Sequence, residues 1–485
     1  MTTPENPKYA GLIRGLGLWA ATAVVVGSMI GQAIFLVPGD IAHELGSQRA
    51  VMLCWTIGGF VALFGILCYA ELGAAMPEAG GAYVYLSRGL SPVWGFLYGW
   101  TSAMIMRPAS AATIAAGLLR FATFLLPSLS APLFIRHIWI PFQSQPYQFT
   151  CTLAQSVAAG TIVLVAIINY FGVRTAGRFQ ILLSSLKVAA VAAIVILGLT
   201  LIGKSTEVQI LLEPSLHYTG LGAFLSALVP AMVAYNGFSV LGELGGEIVN
   251  PRKNLPRAAI AGVLVVVSFY LLINWVYLHV LGVSRVAHSQ HVASDAMSLL
   301  LGTKGAEWMT LAMIVSAFGS LHVNFLGGPR VPYAMARDGV FFSFAKRVQP
   351  RFHTPSGAVI FQGCVAIVLV LTGTYQEVYS LGMFAISAFF ALTAVALIRL
   401  RSTEAELNRP YRVWGYPWTV FAFGAAAFAI SVNLWLVRPV RSSIGLAIIL
   451  LGVPFFYHWR ARSSIASTGA VELVSVCLTQ NCEKP

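Results

Sequence analysis

The groups with the most chemical consequence sit inside an otherwise apolar stretch, VVVGSMIGQAIFLVP (Val24–Pro38). Gly27 and Gly31 weaken a helix there and let another group approach the backbone. Ser28 and Gln32 are costly in an apolar medium unless they face a cavity or a partner. Because Gly27 and Gly31 form a GxxxG pair, a close helix–helix contact is the competing explanation. A second interruption helps to separate the two. In GLGAFLSALVPAMVAYNGFSVLG (Gly220–Gly242), Pro230 removes a backbone donor, and Asn236-Gly237 adds a polar residue and another helix breaker. Broken helices offer N–H groups that favour a carboxylate and carbonyls that favour an ammonium. An amino acid carries both.

Ionisable residues inside apolar runs come next. Lys187 lies nine residues into the run 179–203, and Arg107 sits at mid-depth of 93–119, before Pro108. Such residues are functional by default and face the bundle interior. The alternative for Lys187 is a flexible stem that snorkels to the interface. Arg107 could read a substrate, but an intramembrane arginine commonly pairs with backbone carbonyls, so bracing a broken helix is the expectation. Ser316 and Ser320 could face the site, yet hydrogen bonds within their own helix are the simpler expectation. His322 is expected to be a packing residue. Glu243 and Glu247, near Arg252 and Lys253, are expected to be boundary or gate charges, which leaves no acid at mid-depth. No catalytic residue, metal site or cofactor is expected. The six cysteines (54, 68, 151, 364, 477, 482) lack metal or disulfide-framework spacing, and no HExxH, GxSxG or nucleotide-binding loop occurs.

These residues need elements to carry them. The chain has 485 residues, 58% hydrophobic and 10% charged, with mean hydropathy +0.78. Twelve apolar runs approach or exceed the ~18 residues of a membrane span: 15–38, 50–70, 93–119, 151–173, 179–203, 220–242, 258–284, 308–329, 354–376, 378–398, 416–437 and 442–459. The expected fold is an all-α membrane protein with twelve transmembrane helices. A lead (1–14) precedes the transmembrane domain (15–460), and a tail of mixed polarity (461–485) follows it. The first run is too long, and lacks the cleavage pattern, to be a removable signal peptide. Runs 1 and 6 open successive sets of five that enter from opposite sides. Inverted repeats over about 15–203 and 220–398 are therefore expected, with helices 416–459 added and the site between the two breaks. Connections on one side carry 20 Lys and Arg against 8 on the other, which places both termini in the cytoplasm. That bias accounts for the +13 net charge without a nucleic acid partner.

With both breaks placed, residues 10–460 resemble the amino acid–polyamine–organocation superfamily of LeuT-like transporters. GSMIGQAIF is similar to its first-helix GxxIGSGIF motif, and GGAYVYL, AYNGF, EIVNPRKNLPRA and YAMARDG are similar to segments found there. IMRPAS, and AYNGF followed by EIVNPRKNLP, resemble the L-type amino acid transporter family. The resemblance implies carboxylate binding by backbone at Gly31, Gln32 and Ala33, continuing to Ile34. It implies amino-group binding at Val233, Ala234 and Tyr235, followed by Asn236-Gly237. Two departures matter. Gln32 and Ala33 replace Ser and Gly, which implies a tighter approach to the carboxylate, and Val233 replaces a gating Phe. Lys187 matches a span-5 lysine that stands in for a sodium ion in sodium-independent members, and a proton role is a further possibility. Eukaryotic L-type proteins pair with a heavy subunit through an outside cysteine. The 120–150 connection has none, so a stand-alone protein is expected.

The function expected is sodium-independent secondary transport of neutral, large apolar amino acids across the cell inner membrane, by alternating access and with exchange. The alternative is a proton-coupled importer of cationic amino acids or polyamines, which scarce mid-depth carboxylates disfavour. A channel is disfavoured because no repeated filter ring appears.

Overall fold

The computed structural model describes residues 11–138, 147–201, 220–289, 291–373 and 375–480. The helices run α1 (Leu18–Met29), α2 (Ala33–Leu45), α3 (Gln48–Ala75), α4 (Ala82–Gly89), α5 (Pro92–Thr101), α6 (Arg107–Leu125), α7 (Leu153–Tyr170), α8 (Val173–Leu201) and α9 (Leu221–Tyr235). They continue through α10 (Val240–Glu243), α11 (Pro251–Val280), α12 (Gly282–His288), α13 (Val292–Gly327), α14 (Arg330–Arg337), α15 (Ser356–Thr372), α16 (Tyr375–Thr403), α17 (Trp418–Val437) and α18 (Pro439–Gln480). The connection between α6 and α7 holds a hairpin, β1 (Pro132–Ile138) antiparallel to β2 (Tyr147–Thr152).

Among the described residues, ten helices are long and apolar enough to cross a membrane, and the pair α1 and α2, bent by 40° at its break, makes an eleventh. The 17-residue apolar helix α15 lies where the run 354–376 was expected. The protein is an all-α, multi-pass membrane protein. Large apolar side chains on its outer surface, such as Trp308, Phe428 and Leu436, suit lipid. Much of the expected lead (1–10) and the end of the tail (481–485) lie outside the described residues. α18 continues as helix to Gln480, because residues 461–480 contain no proline and a single glycine.

Polar residues pin the apolar bundle at defined points. Chain entry is fixed by main-chain bonds: Gly15 and Leu16 donate to the Glu247 carbonyl at 2.9 and 3.0 Å, and Val249 donates to Leu16 at 2.9 Å. Arg330 grips Glu247 with two bonds, Nε to Oε1 at 2.6 Å and Nη2 to Oε2 at 3.0 Å, with both side chains fully buried. That fork-to-fork geometry fixes direction as well as distance. It joins the start of α14 to the turn that precedes α11. Glu71 of α3 accepts from Arg401 of α16 and from the Val413 amide. Removing one partner of a buried pair strands the other charge, at about 3–5 kcal/mol. Arg330→Met should therefore lower the thermal unfolding temperature in detergent markedly, whereas Arg88→Met, whose partner Glu404 is partly exposed, should barely move it. Equal shifts for the two variants would contradict this assignment.

Candidate functional site

The first break spans Ile30–Gln32, between α1 and α2. The Gly27, Met29 and Ile30 carbonyls there find donors from other helices. Lys187 of α8 donates from Nζ to the Gly27 carbonyl at 2.8 Å, to the Ile30 carbonyl at 2.7 Å and to Ser320 Oγ at 2.7 Å. Three acceptors match the three donors of an ammonium. Ser320 in turn donates to the Gly27 carbonyl at 3.1 Å, and Ser316 donates to the Ile30 carbonyl at 3.3 Å. Both serines of α13 thus face the break, correcting the expectation of bonds within their own helix. Their i, i+4 spacing, which puts them on one helix face, was the available signal.

Two more donors were not anticipated. Ser184, three residues before Lys187, donates to the Ala23 carbonyl at 2.7 Å. The Tyr270 hydroxyl of α11 lies 2.6 Å from the Met29 carbonyl and 3.2 Å from the Ala234 carbonyl, linking the two breaks. A tyrosine in an apolar helix reads in sequence like any interface aromatic, so Tyr270 gave no signal. His322 is buried against Phe179, with Nδ1 2.9 Å from Gln180 Oε1.

The second break follows Tyr235. Asn236 is extended, its Oδ1 accepts from the Gly237 amide at 2.8 Å, and Gly237 has φ +116°. A Cβ at Gly237 would lie 2.9 Å from the Ser28 carbonyl oxygen, so the breaks touch backbone to backbone. Between them opens a cavity of about 340 Å³. Its wall includes Gly31, Gln32, Ala33, Val233, Asn236 and Gly237. Ile34, Ala234 and Tyr235 are buried outside it, and Tyr235 donates instead to the Trp55 carbonyl at 3.0 Å.

The start of α2 has no side-chain cap, so its first N–H groups lack the partner a cap supplies. Gln32 does not cap it either. Its Nε2 lies 3.3 Å from the Thr113 carbonyl of α6, and the side chain fits against Gly117, where a Cβ would meet Oε1 at 1.7 Å. The bulk expected to crowd a carboxylate is thus turned onto α6.

The cavity also runs along α6 from Arg107 to Arg120, about 20 Å at the rise of a helix. A π-helical turn at Ser102–Met106 precedes Arg107. Arg107 pairs with Glu243, not with carbonyls, which corrects the bracing expectation. Glu243 correspondingly turns into the bundle, 1% exposed, while Arg252 and Lys253 remain at the surface. A buried carboxylate therefore does lie inside the bundle beside the cavity, brought there by tertiary packing that sequence proximity to Arg252 hid.

The geometry gives one direct test. Alanine at Gly237 combines a positive φ with a backbone clash, on the order of 1–3 kcal/mol of strain. Gly237→Ala should lose thermal stability and ligand protection together, while Gly160→Ala, at an open helical position, should lose neither. A Gly237→Ala protein with unchanged melting would show that the breaks do not need their close approach.

Comparison with known proteins adds four findings. Residues 16–456 match the family of amino acid permeases. The chain is 29% identical to the serine/threonine exchanger SteT of Bacillus subtilis (strain 168), over 96% of this chain and 100% of that one. It is 28% identical to the human b(0,+)-type amino acid transporter 1, covering 84% of this chain and 80% of that protein. It is also 28% identical to the human large neutral amino acids transporter small subunit 2, with 99% and 88% covered.

Proposed function

The chain belongs to the amino acid permease family, a family of transporters rather than enzymes, and from that premise we propose that it exchanges neutral amino acids across the cell inner membrane without sodium. One observation carries this reading: the uncapped start of α2 and the break after Tyr235 meet at one cavity. The α-carboxylate would lie on the amides at Gly31–Ala33, and the α-amino group on the Val233 carbonyl, the members of the two expected sets that line the cavity. Lys187 would hold the α1 break where a metal ion otherwise could. Exchange is supported by the name of the SteT relative and by the pairing of Glu243 with Arg107 at the deep end of the cavity.

The side chain would extend past Val233, which lines the cavity with a smaller group than phenylalanine. A cavity of about 340 Å³ has room for large apolar side chains. The two inverted repeats would be 15–203 and 220–398, with helices 416–459 alongside and both termini cytoplasmic. The human large neutral relative is named a small subunit, but we assign this chain a stand-alone state. Cys151 is 3% exposed, its Sγ within 4.0 Å of Ser156 Oγ, and no other cysteine lies in the outside connection.

Counterflow into proteoliposomes tests the reading. Internal amino acid should stimulate uptake, and Leu, Met or Phe should outcompete Gly and Ala by tenfold or more, matching ~1–3 kcal/mol of apolar discrimination. Uptake indifferent to internal amino acid would remove exchange. Competition by Gly and Ala alone would remove the large-side-chain assignment. Gly31→Leu, which fills the carboxylate position beside Ser320, should abolish ligand-induced stabilisation.

A further inference from the structure

The deep end of the cavity carries a charge pair of unequal exposure. Arg107 is 16% exposed and lines the cavity, whereas Glu243 is 1% exposed and does not. The guanidinium therefore lies between the carboxylate and the cavity. Glu243 Oε1 accepts from Arg107 Nη2, with the Tyr98 hydroxyl at 3.5 Å. Oε2 has no hydrogen-bond partner although it is buried. Gly327 leaves room beside it, since a Cβ there would sit 3.0 Å from that oxygen. Half of the carboxylate's accepting capacity is thus unused at this depth.

The break meets α6 at Thr113, six residues from Arg107, or about 9 Å along the helix. Any substrate leaving toward the Arg107 end of the cavity meets this pair. The one acid in the cavity wall, Asp40, is at the opposite end with Arg120. A cationic side chain in the deep half consequently finds the Arg107 guanidinium in front of the Glu243 carboxylate.

We propose that Arg107 and Glu243 form a charge filter, in which Arg107 masks Glu243 and so excludes cationic amino acids and diamines from a cavity otherwise able to take them. The pair is neutral as a unit, and uncharged side chains pass it without an unmatched charge. Removing the guanidinium exposes the carboxylate and turns the deep end into a cation subsite. Removing the carboxylate's charge leaves the guanidinium facing the cavity and turns the same place into an anion subsite. The inference rests on the transport reading for its substrate, but its sign depends only on the two side chains.

Four proteins decide it: wild type, Arg107→Ala, Glu243→Gln and the double variant. Two readouts are needed, competition against leucine counterflow and ligand-induced thermal stabilisation in detergent, with leucine, lysine, putrescine and glutamate as probes. Wild type should be stabilised by leucine and not by lysine. In Arg107→Ala, lysine or putrescine should compete at concentrations at least tenfold lower than in wild type, and the double variant should reverse that gain. Glu243→Gln should show a comparable gain for glutamate. A folded Arg107→Ala protein that rejects lysine as wild type does would overturn the filter, as would wild type taking lysine as readily as leucine. Should Arg107→Ala fail to fold with Glu243 stranded, the glutamate response of Glu243→Gln decides, and its absence overturns the proposal. No leucine response in wild type would sink the neutral-substrate reading. A lysine shift confined to Arg107→Ala would still support the filter.

Discussion

Breaking a helix in a membrane leaves carbonyls that neither water nor the next turn can satisfy. The bundle depends on meeting that demand at Ile30–Gln32. Lys187 bonds the Gly27 and Ile30 carbonyls and Ser320, so one side chain ties α1 to α8 and α13. A bond to a charged group contributes about 1.5–3 kcal/mol net, more than a neutral one. Ser316, Ser320, Ser184 and Tyr270 supply the neutral remainder. With the carbonyls held from outside, the start of α2 is left uncapped at the cavity wall.

That division of labour connects packing to transport. Carbonyl donors on α8 and α13 hold the break from one side, while Gly237 brings the second break against Ser28 from another. Beyond the cavity, the Glu247 carbonyl anchors Gly15 and Leu16, and the Glu247 side chain holds Arg330. One residue thereby joins the chain entry, the turn after α10 and the start of α14.

Much of this was legible from local pattern. Apolar runs marked the helices because a bilayer demands about 18 apolar residues per crossing. Glycine, proline and asparagine marked the breaks because they are poor helix formers in any setting. Partnerships across the bundle were less legible. Glu243 stands 136 positions from Arg107, and nothing near it in sequence competes visibly with Arg252 and Lys253. The π turn at Ser102–Met106, which precedes Arg107 on the same continuous helix, has no sequence signature. Gln32 was read by size alone, whereas the space that takes its side chain belongs to Gly117 on another helix.

We propose that the Lys187 ammonium couples the α1 break to transport in place of a metal ion. Counterflow of a neutral amino acid in sodium-free proteoliposomes, comparing wild type with Lys187→Ala per folded protein, tests it most directly. The serine bonds to the Gly27 and Ile30 carbonyls remain in the variant, so it should fold. The account predicts full wild-type turnover without sodium and at least a tenfold loss in Lys187→Ala, on the order of one charged hydrogen bond. A strict sodium requirement in wild type, or wild-type turnover in the folded variant, would contradict it.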